Sequence, residues 1–468
     1  MSAAVSFCID KIKRPRASWF KALHPLLLIV PLVSGLEGCA TYSGSFAVIE
    51  RDLAEQKYDA ALLNIEKEVD STKDRVLYLL NKGMVLRMKR DFAGSNIALE
   101  AAKAEMDRLY AASVSENTLS FMVNDSTVSY SGDNYERVLL HLYMALNYLE
   151  LGQPDSARIE ALQLDAKLRE FAEKVPDSKY AEDAFTLYLT GMIYEDRAEW
   201  SDAMISYRSA YNIYKKYVTN YAVAMPSALK VDLLRLARQQ GLKDEFELYK
   251  SEFGIELPNN KEKKPEQGEL VFILNNGLAP IKREKAINSF DASTATMVRI
   301  SLPSYESRSN NVVAARITAS GKQAVTELVE DIDAIAQKNL DSHMPAIIAR
   351  SVARVVIKAA ASKKARDTAL NNKNNDNAMV GVLGALALQV AAVASERADT
   401  RSWLTLPSNI QLGRLSLPPG SYSVKIELLG TDRQVVSTKD YPGIVIKKDR
   451  KTFLTEHWVP KQLSTTRR

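Results

Sequence analysis

The sequence predicts an α+β protein of several domains, in which an all-α helical repeat is followed by a β-sandwich-like domain carrying a helical insertion. Three observations predict it. Small and large residues recur at helix-pair spacing through the first half. After a polar, Pro-containing linker at 256–267, the pattern changes to short alternating apolar runs. A long helix-periodic stretch, about 322–397, then interrupts those runs. The 468 residues are enough for two or three domains.

The first 38 residues stand apart. Lys11, Lys13, Arg14, Arg16 and Lys21 form a basic region. An apolar stretch from Leu26 to Val33 follows, too short to cross roughly 30 Å of hydrocarbon. This is the order of an export signal. It ends in Ser34-Gly35-Leu36-Glu37-Gly38-Cys39. That end resembles the bacterial lipobox in its aliphatic Leu36, its small Gly38 and the Cys39 that follows, while Glu37 departs from the usual small residue. The resemblance implies cleavage of residues 1–38, lipid on the Cys39 thiol and an acylated amine. Ala40 stands where an Asp would mark retention at the inner membrane. It therefore implies a lipid anchor on the periplasmic face of the outer membrane.

Composition agrees with that reading. The only other cysteine, Cys8, lies in the signal, so the mature chain has no disulfide framework and no cysteine metal site. The net charge of +5 falls to about +2 once the basic signal is removed. A nearly neutral chain is not a general nucleic-acid binder.

Residues 39–255 carry the repeat. Leu187, Gly191, Tyr194, Trp200, Ala203, Tyr207 and Ala210 follow one another at fixed offsets, as do Leu79, Gly83, Leu86, Phe92, Ser95, Leu99 and Ala102. Ala145 and Tyr148 precede a turn at 150–157 that ends in Ala157, and Tyr58, Ala61 and Ile65 make an earlier half-unit. Tyr58 and Phe92 are 34 residues apart. This resembles the tetratricopeptide repeat, in which small residues let two helices approach and large ones fill the groove. The expected packing residues are Gly83, Ala145, Tyr148, Ala157, Gly191, Tyr194, Ala203 and Tyr207. Ser113–Asn134 reads as a protruding insertion, and 228–253 as a last, weaker pair. Stacked pairs curve into a concave binding surface, or serve as a spacer.

In the second half, 269–274, 296–302 and 312–317 read as strands, and 324–366 as helix. Arg350, Arg354 and Lys358 fall on one helical face, expected to be solvated, with Ile348, Val352, Val355 and Val356 buried opposite. The polar run 371–377 reads as a loop, and the Ala/Gly-rich run 378–394 as a buried helix packed through small residues. Strands return at 413–417, 420–428, 444–446 and 452–455, with Pro418-Pro419-Gly420 as a tight turn. Asp399, Arg401 and Trp403 read as a clamp between helix and strand. The lipobox, the repeat, Tyr135–Leu149 and Asp399–Trp403, in that order, resemble a family of Gram-negative bacterial lipoproteins. The resemblance implies this architecture and no activity.

Catalytic spacing is missing. His141, His343 and His457 stand far apart, and no nucleophile elbow, P-loop or dinucleotide fingerprint occurs. No enzyme, metal or cofactor is expected. The expected function is a protein–protein interaction scaffold or regulatory factor in cell-envelope assembly, with an envelope protein as partner. The alternative is a peptidoglycan- or carbohydrate-binding β domain that uses Trp403, Tyr422, Tyr441 and Trp458.

Overall fold

The computed structural model describes residues 42–67, 72–115, 127–174, 183–258, 266–291, 296–370 and 396–461, together with parts of 383–395. The proposed signal, Cys39, the loop 371–377 and much of the insertion 113–134 lie outside the described residues.

Five helix pairs build the first half. Ala47–Ala54 (α1) pairs with Tyr58–Glu66 (α2), and Arg75–Met88 (α3) with Phe92–Ser115 (α4). Asn134–Glu150 (α5) pairs with Pro154–Lys174 (α6), Ala184–Asp196 (α7) with Trp200–Tyr221 (α8), and Ser227–Gln239 (α9) with Lys243–Phe253 (α10). Each pair is joined by three residues, and the middle one always has positive φ: Gln56, Arg90, Gly152, Ala198 and Gly241. Only two of the five are glycine, so the other three hold a backbone that costs about 1–2 kcal/mol per residue. Five equal turns mark five copies of one unit, and the helical half is tetratricopeptide-like.

The β half begins with Gly268–Asn276 (β1), the hairpin Ile281–Asp291 (β2) and Thr296–Glu306 (β3), and Val312–Ala319 (β4). Lys322–Val325 (β5), Glu327–Asp331 (β6) and the helix Ile332–Leu370 (α11) follow. Asn409–Leu417 (β7), Gly420–Gly430 (β8), Val435–Ile446 (β9) and Lys451–Trp458 (β10) complete it. One sheet has the order β10-β1-β7-β6, with β1 parallel to β10 and antiparallel to β7. The other has the order β5-β4-β8-β9.

β1 lies inside three layers. Leu270, Phe272 and Leu274 pack on the second sheet with Ile317, Ile426 and Leu428. Val271 and Ile273 turn the other way and join a core shared with the helices. A strand covered on both faces reads as a continuous apolar run, which is how 269–274 reads. Gly413 on β7 allows the sheets to meet, since a Cβ there would sit 2.4 Å from Ile317 Cδ1. Pro418 and Pro419 carry the chain from one sheet to the other rather than closing a hairpin.

Several expectations are corrected. The stretch 324–331 holds the end of β5 and all of β6, and helix α11 starts at Ile332, where Asp331 Oδ1 accepts from Ala334 N at 2.9 Å. β2 was not expected, because Lys282-Arg283-Glu284-Lys285 carries no apolar alternation. On α11 the expected faces are exchanged. Arg354 is buried and pairs with Glu396 at 3.2 Å, and Lys358 Nζ reaches the same carboxylate at 2.9 Å. Of the aliphatic residues expected to be buried, Ile348, Val352 and Val356 are 41–61% exposed and Val355 is half-buried. A neutralising carboxylate inside pulls the basic face inward and leaves the aliphatic face in solvent. The described part of 378–394 is not buried either, since Leu386 and Val390 are both over half exposed. No described helix is long and apolar enough to cross a membrane.

Candidate interaction surface

Glycine and alanine set the approach of the helices. A Cβ on Gly191 would lie 2.3 Å from the Tyr207 ring, and one on Gly83 would lie 2.7 Å from Leu99. Ala145, Ala157 and Ala203 are buried, as are Tyr194 and Tyr207, while Tyr148 is half-buried against the same core. Tyr207 is held by a hydrogen bond to Glu195 at 2.6 Å. His141 is a buried partner of Glu160 at 2.9 Å on the α5–α6 interface.

The inner helices do not line a free groove. Every residue of α7 and nearly every residue of α5 is buried, because the chain's own first sheet lies against them. Tyr143 Oη donates to Asn275 Oδ1 at 3.0 Å, and Arg87 Nη2 to Thr455 Oγ1 at 2.8 Å. Tyr214 Oη donates to Val329 O at 3.0 Å, and Thr455 N to Glu150 Oε1 at 2.6 Å. Trp403 N donates to Glu136 Oε1 at 2.7 Å, and the Trp403 ring meets Tyr143 edge-on at 6.1 Å. Burial and the nearby Asp133 raise the Glu136 carboxyl to about 7. Glu330 on β6 accepts from Tyr217 Oη at 3.3 Å, and burial, with Asp183 beside it, pushes its carboxyl well up. Arg401 clamps Asp399 to Asp74 at 2.8 and 3.0 Å.

Charge completes the seam. A cleft of about 500 Å³ opens between α7–α9 and the ends of β1, β7 and β10. Arg414 bonds Asp232, the Tyr188 hydroxyl and, at 2.7 Å, Glu269. Arg235 meets Glu195 at 2.5 Å, Arg450 meets Asp196 at 2.7 Å, and Lys451 meets Glu269 at 2.9 Å. These acids and bases serve each other and join the two halves. No group of His, Cys, Asp or Glu able to hold a metal occurs among the described residues. Of the aromatics considered for sugar stacking, Trp403 and Tyr441 are buried, and Tyr422 and Trp458 are half-buried.

The outer helices carry the free surface. The sixth residue of α2, α4, α6, α8 and α10 is Leu63, Ile97, Ile159, Ile205 and Leu248 in turn. All five are exposed, at 53–74%. Two residues earlier stand Ala61, Ser95, Ala157 and Ala203, each fully buried, and in the last pair a partly buried Phe246. Two residues on a helix turn about 200°, so this face points away from the core. A single exposed aliphatic side chain needs no explanation, but here the same helix position is aliphatic and exposed in all five outer helices. The pattern was present in the sequence and emerges only when the five outer helices are aligned at their first residues.

No family model and no curated protein matches the chain. Solved structures resemble part of it. One is the pilF protein of Pseudomonas aeruginosa, 14% identical, covering 50% of this chain and 85% of that one with a TM-score of 0.30. Another is MamA, 13% identical, covering 43% and 90% with a TM-score of 0.28. A third is a tetratricopeptide repeat protein from Parabacteroides merdae, 14% identical, covering 46% and 67% with a TM-score of 0.28.

Proposed function

We propose that this protein is a lipid-anchored scaffold of the bacterial cell envelope that docks a partner protein along its outer helices. The β half is read as a sandwich-like brace that fills the inner face of the array and keeps it rigid. The lipobox-like Leu36–Cys39 supports the anchor, and Ala40 supports the outer membrane. The observation that carries the docking surface is the aliphatic row Leu63, Ile97, Ile159, Ile205 and Leu248. The partner presents an apolar face to that row.

Two measurements test this. A photo-crosslinking residue placed at position 97 or 205 in growing cells is expected to give one discrete protein adduct. The same residue at the polar outer position 155 gives none. The double variant Ile97→Glu, Ile205→Glu weakens capture by the purified partner at least tenfold and leaves the thermal midpoint unchanged. No adduct, or capture indifferent to the charges, sinks the docking surface. Separately, labelled palmitate is expected in the wild-type protein and not in Cys39→Ser. Equal labelling of both would remove the anchor.

A further inference from the structure

Along the middle of α11 the polar residues turn inward. Ser351, Arg354 and Ser362 are buried, and Lys358 reaches Glu396. What is left in solvent is of one kind. From Pro345 to Ala361 every exposed residue is proline, alanine, valine or isoleucine. At 1.5 Å per residue this face runs for about 24 Å. Residues three and four apart on a helix are neighbours. The face is therefore one continuous stripe, with Ile348, Val352 and Val356 along its middle. β3 and the chain that returns after α11 meet the helix on its inner side, at Val355, Ala359 and Ser362, and leave the stripe uncovered. A contiguous apolar surface of this length marks contact with a partner.

The charges at the two ends of the stripe identify that partner. Asp341 stands before it, exposed, and accepts only from the uncharged Gln337 side chain among the bonds described, at 3.1 Å. Lys363 and Lys364 stand after it, both exposed. Asp341 precedes Val352 by eleven residues, and Lys363 follows it by eleven. Eleven residues make close to three whole turns, so acid, centre and base lie on one line along the helix. Such a line is complementary to its own reverse. In an antiparallel pair centred on Val352, Val352 meets its own copy, Ile348 meets Val356, and Asp341 meets Lys363. A shallow crossing of about 20° keeps both charged ends within reach. A parallel pair would set acid against acid and base against base. A bilayer with anionic lipids would favour cations at both ends, and Asp341 opposes it.

We propose that a second copy of this chain covers the stripe, through an antiparallel, two-fold pairing of α11 centred on Val352. A contact of this symmetry closes on itself, so it gives a dimer and not a filament. One helix face is small beside the roughly 800 Å² that each partner buries in a standard stable complex, so the dimer is reversible. The stripe is separate from the outer row of the helical half, so the pairing stands if that docking surface fails.

The test is sedimentation of the purified full-length protein in non-ionic detergent. The wild type is expected to pass from monomer to dimer as its concentration rises. Val352→Glu, at an exposed position, sets two carboxylates together on the two-fold axis. It is expected to weaken the dimer at least tenfold and to leave the Tm of the dilute monomer unchanged. Asp341→Lys and Lys363→Asp each bring like charges together and weaken it about threefold, and the two combined restore it. A charge that served only its own helix would give no such rescue. Oxidation reads the direction, because a disulfide needs Cα atoms within about 7 Å. Val352→Cys is expected to give a linked dimer and Ile348→Cys alone none, while Ile348→Cys with Val356→Cys gives one. The inference is overturned by a chain that stays monomeric at every concentration, by a dimer indifferent to Val352→Glu, or by linkage through Ile348→Cys alone. A monomer that binds phosphatidylglycerol vesicles, and loses them in Val352→Glu, also overturns it and gives the stripe to a lipid surface.

Discussion

Arg414→Met is expected to lower stability by about 3 kcal/mol, toward the lower end of the cost of breaking a buried ion pair. Its guanidinium is the centre of the seam, bonded to Asp232 on α9 and Glu269 on β1 and touching Tyr188 on α7. Removal leaves Asp232, 2% exposed, with Arg235 and the Tyr188 hydroxyl, and Glu269 with Lys451 as its one cation. The pH dependence gives a second reading. Burial works to raise the Glu269 carboxyl, but the Arg414 and Lys451 cations outweigh it and hold the group far below the usual carboxylate range. A folded pKa below the unfolded value of about 4.3 stabilises above that value and loses the contribution as pH falls through and below it. The variant's carboxylates are less depressed, so it loses less on acidification. The gap between the two proteins, measured by denaturant midpoint, narrows between pH 5 and pH 3. An unchanged midpoint at pH 7, or a gap constant with pH, would contradict this account of the seam.

Trp403→Ala is expected to cost about 3–5 kcal/mol, the range for emptying a large aromatic site. Trp403 is 1% exposed and sits where α3, α5 and the chain before β7 meet. Its Nε1 donates to Thr405 Oγ1 at 2.9 Å, and that hydroxyl donates to Asn81 Oδ1 at 2.9 Å. Truncation therefore opens a cavity and loosens a polar chain leading into the repeat. Trp403→Phe keeps the contact with Tyr143, loses the Nε1 bond and costs less. If Trp403 were an exposed sugar platform, its removal would leave the thermal midpoint in place, so the midpoint of Trp403→Ala decides between the two roles.

The parts of the fold that were legible in the sequence are the local ones. Ala157, Ala203 and Gly191 announce close helix crossings because the residues they meet lie within one helix pair. The buried strand β1 is legible as an unbroken apolar run. What was not legible depends on distant chain. The exchanged faces of α11 follow from Glu396, 42 residues beyond Arg354, and no periodicity within the helix announces it. The seam joins Arg414 to Asp232 across 182 residues and Trp403 to Glu136 across 267. The concave face expected to receive a partner is occupied for the same reason. β2 was missed because the positions that face inward are charged and find partners within the protein, buried Lys282 with Asp133 and Glu284 with Arg299, where apolar side chains would have shown the alternation.

The parallel pairing of β1 with β10 has a kinetic consequence. Glu269 pairs with Lys451 and Asn276 with Trp458, so the most apolar strand of the molecule is made long before its neighbour. Residues 277–450 lie between the two strands. β7, on its other edge, also comes more than a hundred residues later. Through that interval the completed helical array, followed by Val329 and Ile332 from β6 and α11, is available to cover Val271 and Ile273. The last strand in sequence, β10, therefore completes the sheet at its edge beside β1, after the helical half and every other strand.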